Sequence, residues 1–278
     1  MEKAVNVRKS LFRLLWHRIE EDDISGLSAQ LAYFFLLSLF PLLIFIFTLL
    51  PYLPIENHDI LGGIGDFAPP QTMDLIEKNV NYVMNNRNGG LLSFSVIGTI
   101  WSASNGIHAL VRAFNKAYNV KESRSFIVSR AMAIVLTIGM IFVFIVAVLL
   151  PIFGREIGIF LFSYLGFKLE FLRIWEMLRL VISALILFLI FTGLYWIAPN
   201  VKLRCRSAFP GAGFATVGWI LSSYALSFYV SKFNNFSLTY GSIGAIIVLL
   251  IWLYISGFII ILGGEINAFY SEKNKSNC

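Results

Sequence analysis

Charge is scarce in this chain, and cysteine and histidine are scarcer. Charged residues make up 14% of the 278, against roughly 25% in a soluble globular domain, which excludes an ordinary water-solvated surface. The two cysteines, Cys205 and Cys278, give no disulfide framework, and neither has a histidine neighbour with which to build a metal site. His17, His58 and His108 are scattered, which argues against the clustered His and Asp ligands of a metal-dependent nuclease. No glycine-rich loop followed by Lys and Ser/Thr is present to cradle a nucleotide. No Ser/His/Asp or Cys/His set shares a recognisable pattern. The expectation is therefore no enzyme, no cofactor, no metal and no catalytic residue.

What the chain has is apolar length. Hydrophobic residues make up 58%, with 26 phenylalanines and a mean hydropathy of +0.76. Six runs stand out, at residues 27–50, 91–110, 131–153, 178–198, 209–230 and 243–266. A hydrocarbon core about 30 Å thick takes about 20 helical residues to cross, and backbone polar groups in lipid must be satisfied within the segment. The reading is an all-α, polytopic membrane protein with six transmembrane helices forming one domain over residues 26–270.

Basic residues orient it. Assigned to alternate loops, 15 of the 22 Lys and Arg fall on the side of both ends of the chain and 7 on the other. Loops rich in Lys and Arg stay in the cytoplasm, so both termini are expected inside. The net charge of +6 thus reports topology, and no nucleic-acid partner is expected. The charged first 25 residues lack the pattern of a cleavable signal. Residues 5–20 read instead as an amphipathic helix at the interface, where anionic lipids are candidate partners. Residues 51–90 form an extracytoplasmic loop in which Pro70 opens a helix at about 71–86. Residues 154–177 read as an interfacial connector, and 271–278 as a cytoplasmic tail.

Polar residues inside apolar runs are costly and face a bundle interior or a hydrated cavity. Trp101, Asn105, His108 and Arg112 recur at i, i+4, i+7 and i+11, on one side of a helix. Glu265 in the last run and Gln30 in the first lie at similar depth. Two arrangements satisfy this set. Glu265 pairs with Arg112 or another basic group while the amides make interhelical hydrogen bonds, or the same residues line an inward-facing cavity for an anionic or zwitterionic head group. In the fifth run Gly211, Ala215, Gly218, Ser222 and Ala225 give a small-residue face, matched by Gly257 and Gly264 in the sixth. Such faces allow close helix approach, within the bundle or between copies in a homo-oligomer.

Several motifs together resemble one family. They are Ala29-Gln30-Leu31-Ala32-Tyr33-Phe34-Phe35-Leu36-Leu37-Ser38-Leu39-Phe40-Pro41, Trp101-Ser102-Ala103-Ser104-Asn105-Gly106, Pro210-Gly211-Ala212, Tyr240-Gly241-Ser242-Ile243-Gly244-Ala245, Trp252-Leu253-Tyr254 and Gly263-Gly264-Glu265-Ile266-Asn267-Ala268. The chain from Leu27 to Ala268 resembles the YihY/virulence factor BrkB family of bacterial inner-membrane proteins. The resemblance implies six transmembrane helices in a bacterial plasma membrane. It implies no settled activity, since the family has been labelled ribonuclease, virulence or resistance factor and candidate envelope transporter. Tyr254 and Asn267, carried by the closing motifs, join the candidate cavity residues. The expectation is a transporter of lipid or another amphiphilic envelope component, with a non-transporting scaffold as the alternative.

Overall fold

The computed structural model describes residues 17–52, 61, 70–141, 171–201, 203, 205–232 and 236–276. Every regular element among them is helical. These are α1 (Ile24–Leu49), α2 (Pro70–Asn85), α3 (Gly89–Ala117), α4 (Phe126–Ile141), α5 (Phe171–Ile197), α6 (Phe209–Lys232) and α7 (Phe236–Ser276). Short 3-10 turns occupy Leu50–Tyr52 and Cys205–Ala208. Most of the expected interfacial helix 5–20 and of the connector 154–177 lies outside the described residues. What is described of the connector, from Phe171, is already the first part of α5.

Among the described residues, three segments are long and apolar enough to cross a membrane: Ile24–Tyr52, Leu180–Ile197 and Ile246–Glu272. The 29-residue α3 and 24-residue α6 have the length with more polar sequence. Large apolar side chains face outward at helical spacing, as with Val217, Leu221, Tyr224 and Phe228 on α6, while Ser28, Glu265 and Asn267 are buried. A chain solvated by water would not expose such stripes, and one solvated by lipid does.

Local sequence explains the helix ends. Asn88 caps α3 by accepting from the Leu91 amide at 2.9 Å, and Ser125 caps α4 through the Val128 amide at 3.4 Å. At the far end of α3, Asn119 adopts φ 50°. The Asn119 amide donates to the Lys116 carbonyl and the Val120 amide to the Asn115 carbonyl, both at 2.9 Å. That pair of bonds is the Schellman stop, and Asn tolerates its left-handed position. Asp23, at φ 52°, ends the short helical stretch 17–21 and caps α1 through the Gly26 amide at 3.2 Å.

The chain divides into two compact units, residues 34–103 and the remainder. In the smaller unit Pro41 of α1 lies beside Gly98 of α3, where an added Cβ would stand 3.4 Å from the proline ring. The Arg87 guanidinium sits 5.5 Å from the centre of the Tyr52 ring, a cation–π distance.

The larger unit is built around close helix crossings. A Cβ on Gly264 would stand 2.6 Å from the Phe114 ring, one on Gly257 3.1 Å from Leu31, and one on Gly218 3.0 Å from Ile259. At Gly211 a Cβ would run into the Gly263 carbonyl and the Asn267 amide. Ala212 and Ala215 are fully buried beside it, and half-buried Ser222 bonds its own helix at the Trp219 carbonyl, 3.0 Å away. Tyr195 of α5, packed on Phe114 with ring centres 5.1 Å apart, donates its hydroxyl to the Ile260 carbonyl at 2.7 Å.

Candidate functional site

The polar chemistry of the larger unit gathers where α3 ends. Arg18, on the stretch preceding α1, reaches three acceptors there. It donates to Glu265 Oε2 at 3.3 Å, to Glu272 Oε2 at 2.7 Å and to the Ala117 carbonyl at 3.4 Å. The last contact also places a cation on the negative end of the α3 dipole. Glu265 is 1% exposed and Arg18 17%, so the pair is largely withdrawn from solvent and holds residues 17–21 against α7. Asp22 is near enough to Glu265 to act on its charge. Glu265 Oε1 and the Tyr118 hydroxyl are buried without a hydrogen-bond partner among the described residues. Burial first, and the Glu265 charge second, push the Tyr118 phenol well above its ordinary pKa.

A second network fixes the loop after α3. Glu122 accepts from Arg124 Nε at 2.6 Å, from Arg124 Nη2 at 2.8 Å and from the Asn115 amide at 2.8 Å. These bonds, the Arg124 side chain foremost, hold the Glu122 carboxyl down at about 2. Arg124 also donates to the Ala198 carbonyl at 3.1 Å, and the Asn200 amide NH donates to Asn115 Oδ1 at 2.7 Å. The loop is thereby tied to the end of α5.

Between these networks lies an open polar basin of about 670 Å³, within the size range of small-molecule sites. Arg18, Arg112, Lys116, Lys121, Glu122 and Glu272 are among its lining residues. Its acids are engaged: Glu272 by Arg18, Glu122 by Arg124 and Glu21 by His17 at 3.1 Å. Lys116 donates to the Glu21 carbonyl at 3.2 Å and lies 3.9 Å from Asp22. Exposed Arg112 bonds the neutral Gln30 Oε1 at 3.4 Å.

One turn back along α3, His108 Nδ1 lies 3.5 Å from the Ser129 hydroxyl of α4. Beside it Arg130 donates to Asn105 Oδ1 at 2.7 Å. Gln30, Asn105, His108 and Arg112 thus belong to one α1–α3–α4 neighbourhood, whereas Glu265 belongs to the Arg18 cluster. Trp101 is 56% exposed and falls in the other compact unit. Tyr254 is half-buried with its ring 6.5 Å from Phe258.

Asn267 does separate work. Fully buried, it accepts from the Gly211 amide at 2.7 Å and donates to the Ala208 carbonyl at 3.1 Å. It caps α6 from across the helix crossing, where Pro210 has no N–H to give. Pro210-Gly211 and Gly263-Gly264-Glu265-Ile266-Asn267 are two halves of one joint. Arg18, Asn115, Glu122, Arg124 and Asn200 were not singled out as site residues by the sequence reading. The asparagines carried a signal in their position just outside apolar runs, where helix ends need side-chain partners. Arg18 carried none.

Helices with outward apolar stripes and inward polar networks define an all-α integral membrane protein. The chain matches the family described as Virulence factor BrkB over residues 15–277, and it belongs to that family. It is 53% identical over 266 residues to the ribonuclease-like protein YfkH of Bacillus subtilis, covering 96% of this chain and 97% of that one. It is 24% identical over 270 residues to the UPF0761 membrane protein NTHI0384 of Haemophilus influenzae, covering 95% and 96%. It is 28% identical over 285 residues to a UPF0761 membrane protein of Vibrio campbellii, covering 98% and 86%. No solved structure matches the chain.

Proposed function

We propose that this protein crosses the plasma membrane six times, with both termini in the cytoplasm, and moves a lipid or another amphiphilic envelope component. The observation that carries this reading is the open polar basin at the end of α3, large enough for a head group and walled by helices whose outer faces suit lipid. In this reading the head group enters the basin from the cytoplasmic leaflet, Arg112 meets it, and the tails stay in the bilayer. Nothing is cleaved, and no catalytic group takes part.

The test is Arg112→Gln in reconstituted vesicles, read by movement of a labelled amphiphile and by thermal unfolding. Because Arg112 is exposed and bonded only to Gln30 among the described residues, transport should fall while the unfolding temperature holds. Unchanged transport overturns its role. Reporters fused after Cys278 and within residues 121–125 should read cytoplasmic, and an exterior signal at either would reverse the orientation.

A scaffold without transport is the second reading. What favours it is that Glu265 and Asn267 are both engaged in bonds that hold helices together. Wild-type vesicles that move no amphiphile under a proton gradient or a membrane potential would select it.

A further inference from the structure

Three carboxyl groups gather around one guanidinium where residues 17–23 meet α7. Arg18 holds Glu272 at 2.7 Å and Glu265 at 3.3 Å, and the Asp22 carboxyl stands within hydrogen-bond reach of Glu265. Two carboxyl groups that close can bond only when one of them carries a hydrogen. Glu265 is 1% exposed, and its Oε1 has no hydrogen-bond partner among the described residues. A carboxylate so placed has lost water on one oxygen and gained nothing in return, and a proton supplies what is missing. Asp22 is half-buried, with Lys116 3.9 Å away, so a proton shared by the two belongs on the drier Glu265. The other titratable groups facing the pair do not compete for it. Tyr118, at the end of α3, keeps its own proton because burial and the Glu265 charge hold its phenol well above the ordinary range. Tyr195 of α5 has given its hydroxyl to the Ile260 carbonyl, and Glu21 is paired with His17. A metal cation is disfavoured in the same place, since it would meet the guanidinium already beside Glu265. Asp22 and Arg18 both line the basin, which joins the buried carboxyl to open space.

We propose that Glu265, paired with Asp22, is a proton-binding site loaded from the basin, and that its occupancy decides whether Arg18 is held at Glu265. Without the proton, the Glu265 carboxylate takes Arg18 and fixes residues 17–21 against α7. With it, Glu265 is neutral and bonds Asp22, while Arg18 keeps only exposed Glu272 and the Ala117 carbonyl. One proton enters from water and no other bond is made or broken covalently. Each proton bound also changes the charge behind the basin wall by one. The site needs no cargo, so the proposal stands apart from the amphiphile reading.

The test is infrared difference spectroscopy on the full chain in nanodiscs, stepped from mildly alkaline to mildly acidic buffer. The carbonyl stretch of a protonated carboxyl should appear on acidification. It should shift with isotope-labelled glutamate and not with labelled aspartate, and shift again in heavy water because the site exchanges with the basin. The band should vanish in Glu265→Gln, change frequency in Asp22→Asn and persist in Glu272→Gln. No band in the wild type, or one that survives Glu265→Gln, overturns the site, and a band abolished by sodium at fixed pH assigns it to a metal cation instead. If Glu265→Gln fails to fold, the isotope shift and Asp22→Asn decide. The hold on Arg18 is read by amide hydrogen exchange at residues 17–23, corrected for the intrinsic rate at each pH. Protection should fall as the band grows, in the wild type and in His17→Gln alike, and should be low at every pH in Glu265→Gln. Protection indifferent to the band overturns the control of Arg18. A titrating band in a protein that moves no amphiphile sinks the carrier reading and leaves the proton site standing, while amphiphile movement with no band sinks the proton site alone.

Discussion

Removing the Arg18 side chain tests how the larger unit is held. Arg18→Ala takes the cation from Glu265, which is 1% exposed and has an oxygen without any partner among the described residues. Breaking a buried pair from one side costs about 3–5 kcal/mol because the remaining charge has lost both water and counterion. Glu272, whose side chain is 56% exposed, recovers hydration when released, so Glu272→Gln should cost no more than about 1 kcal/mol. Glu265→Gln keeps an acceptor in place and leaves Arg18 with Glu272, and should fall between the two. The assay is thermal unfolding of each variant in one detergent, with Arg18→Ala/Glu265→Leu completing a double-mutant cycle. The double variant should be more stable than Arg18→Ala alone, since it removes the stranded carboxylate. If Arg18→Ala and Glu272→Gln prove equally mild, the clamp is a surface contact and the reasoning fails.

Three other outcomes follow from the geometry. Gly264→Ala should lose about 1–3 kcal/mol through the Phe114 ring 2.6 Å from the new Cβ, as should Gly218→Leu against Ile259, whereas Gly213→Ala, with nothing within 4 Å, should be nearly neutral in the same unfolding assay. Asn267→Leu strands the Gly211 N–H and should cost about 1–3 kcal/mol, with exchange at the start of α6 accelerating first. The folded Glu122 carboxyl titrates at about 2, below its ordinary 4.5, so its contribution is present above pH 4.5 and lost as pH falls toward 2. The stability gap between wild type and Glu122→Gln should therefore close across that window, and a gap that widens there would contradict the Arg124 pairing.

The elements that sequence made legible are those whose signal is local. Pro70 opens α2 where a helix start is expected, and long apolar runs underlie α1, α3, α4, α5, α6 and α7, although the first part of α5 falls in the stretch read as a connector. Boundaries moved where polar helix ends run past the apolar windows. α3 continues to Ala117 and α7 to Ser276 because Lys116 and the charged tail are good helix formers that need no lipid. The spacing of Gly211, Ala215 and Gly218 is likewise a local pattern, although which helix fills the face is not.

Partner choice between distant segments is what the pattern could not carry. Glu265 in an apolar run demands a cation, and Arg112 satisfies that demand as well on paper as Arg18 does. The choice is made by the Asp23 turn, which ends one helical stretch and caps α1 through Gly26, bringing a residue 247 positions away in sequence against α7. With Arg18 committed to two carboxylates and a helix end, Arg112 is left to a neutral amide at the rim of the basin. The turn that closes the structural pair is thus what leaves the Arg112 guanidinium bonded to an amide and not to a carboxylate among the described residues.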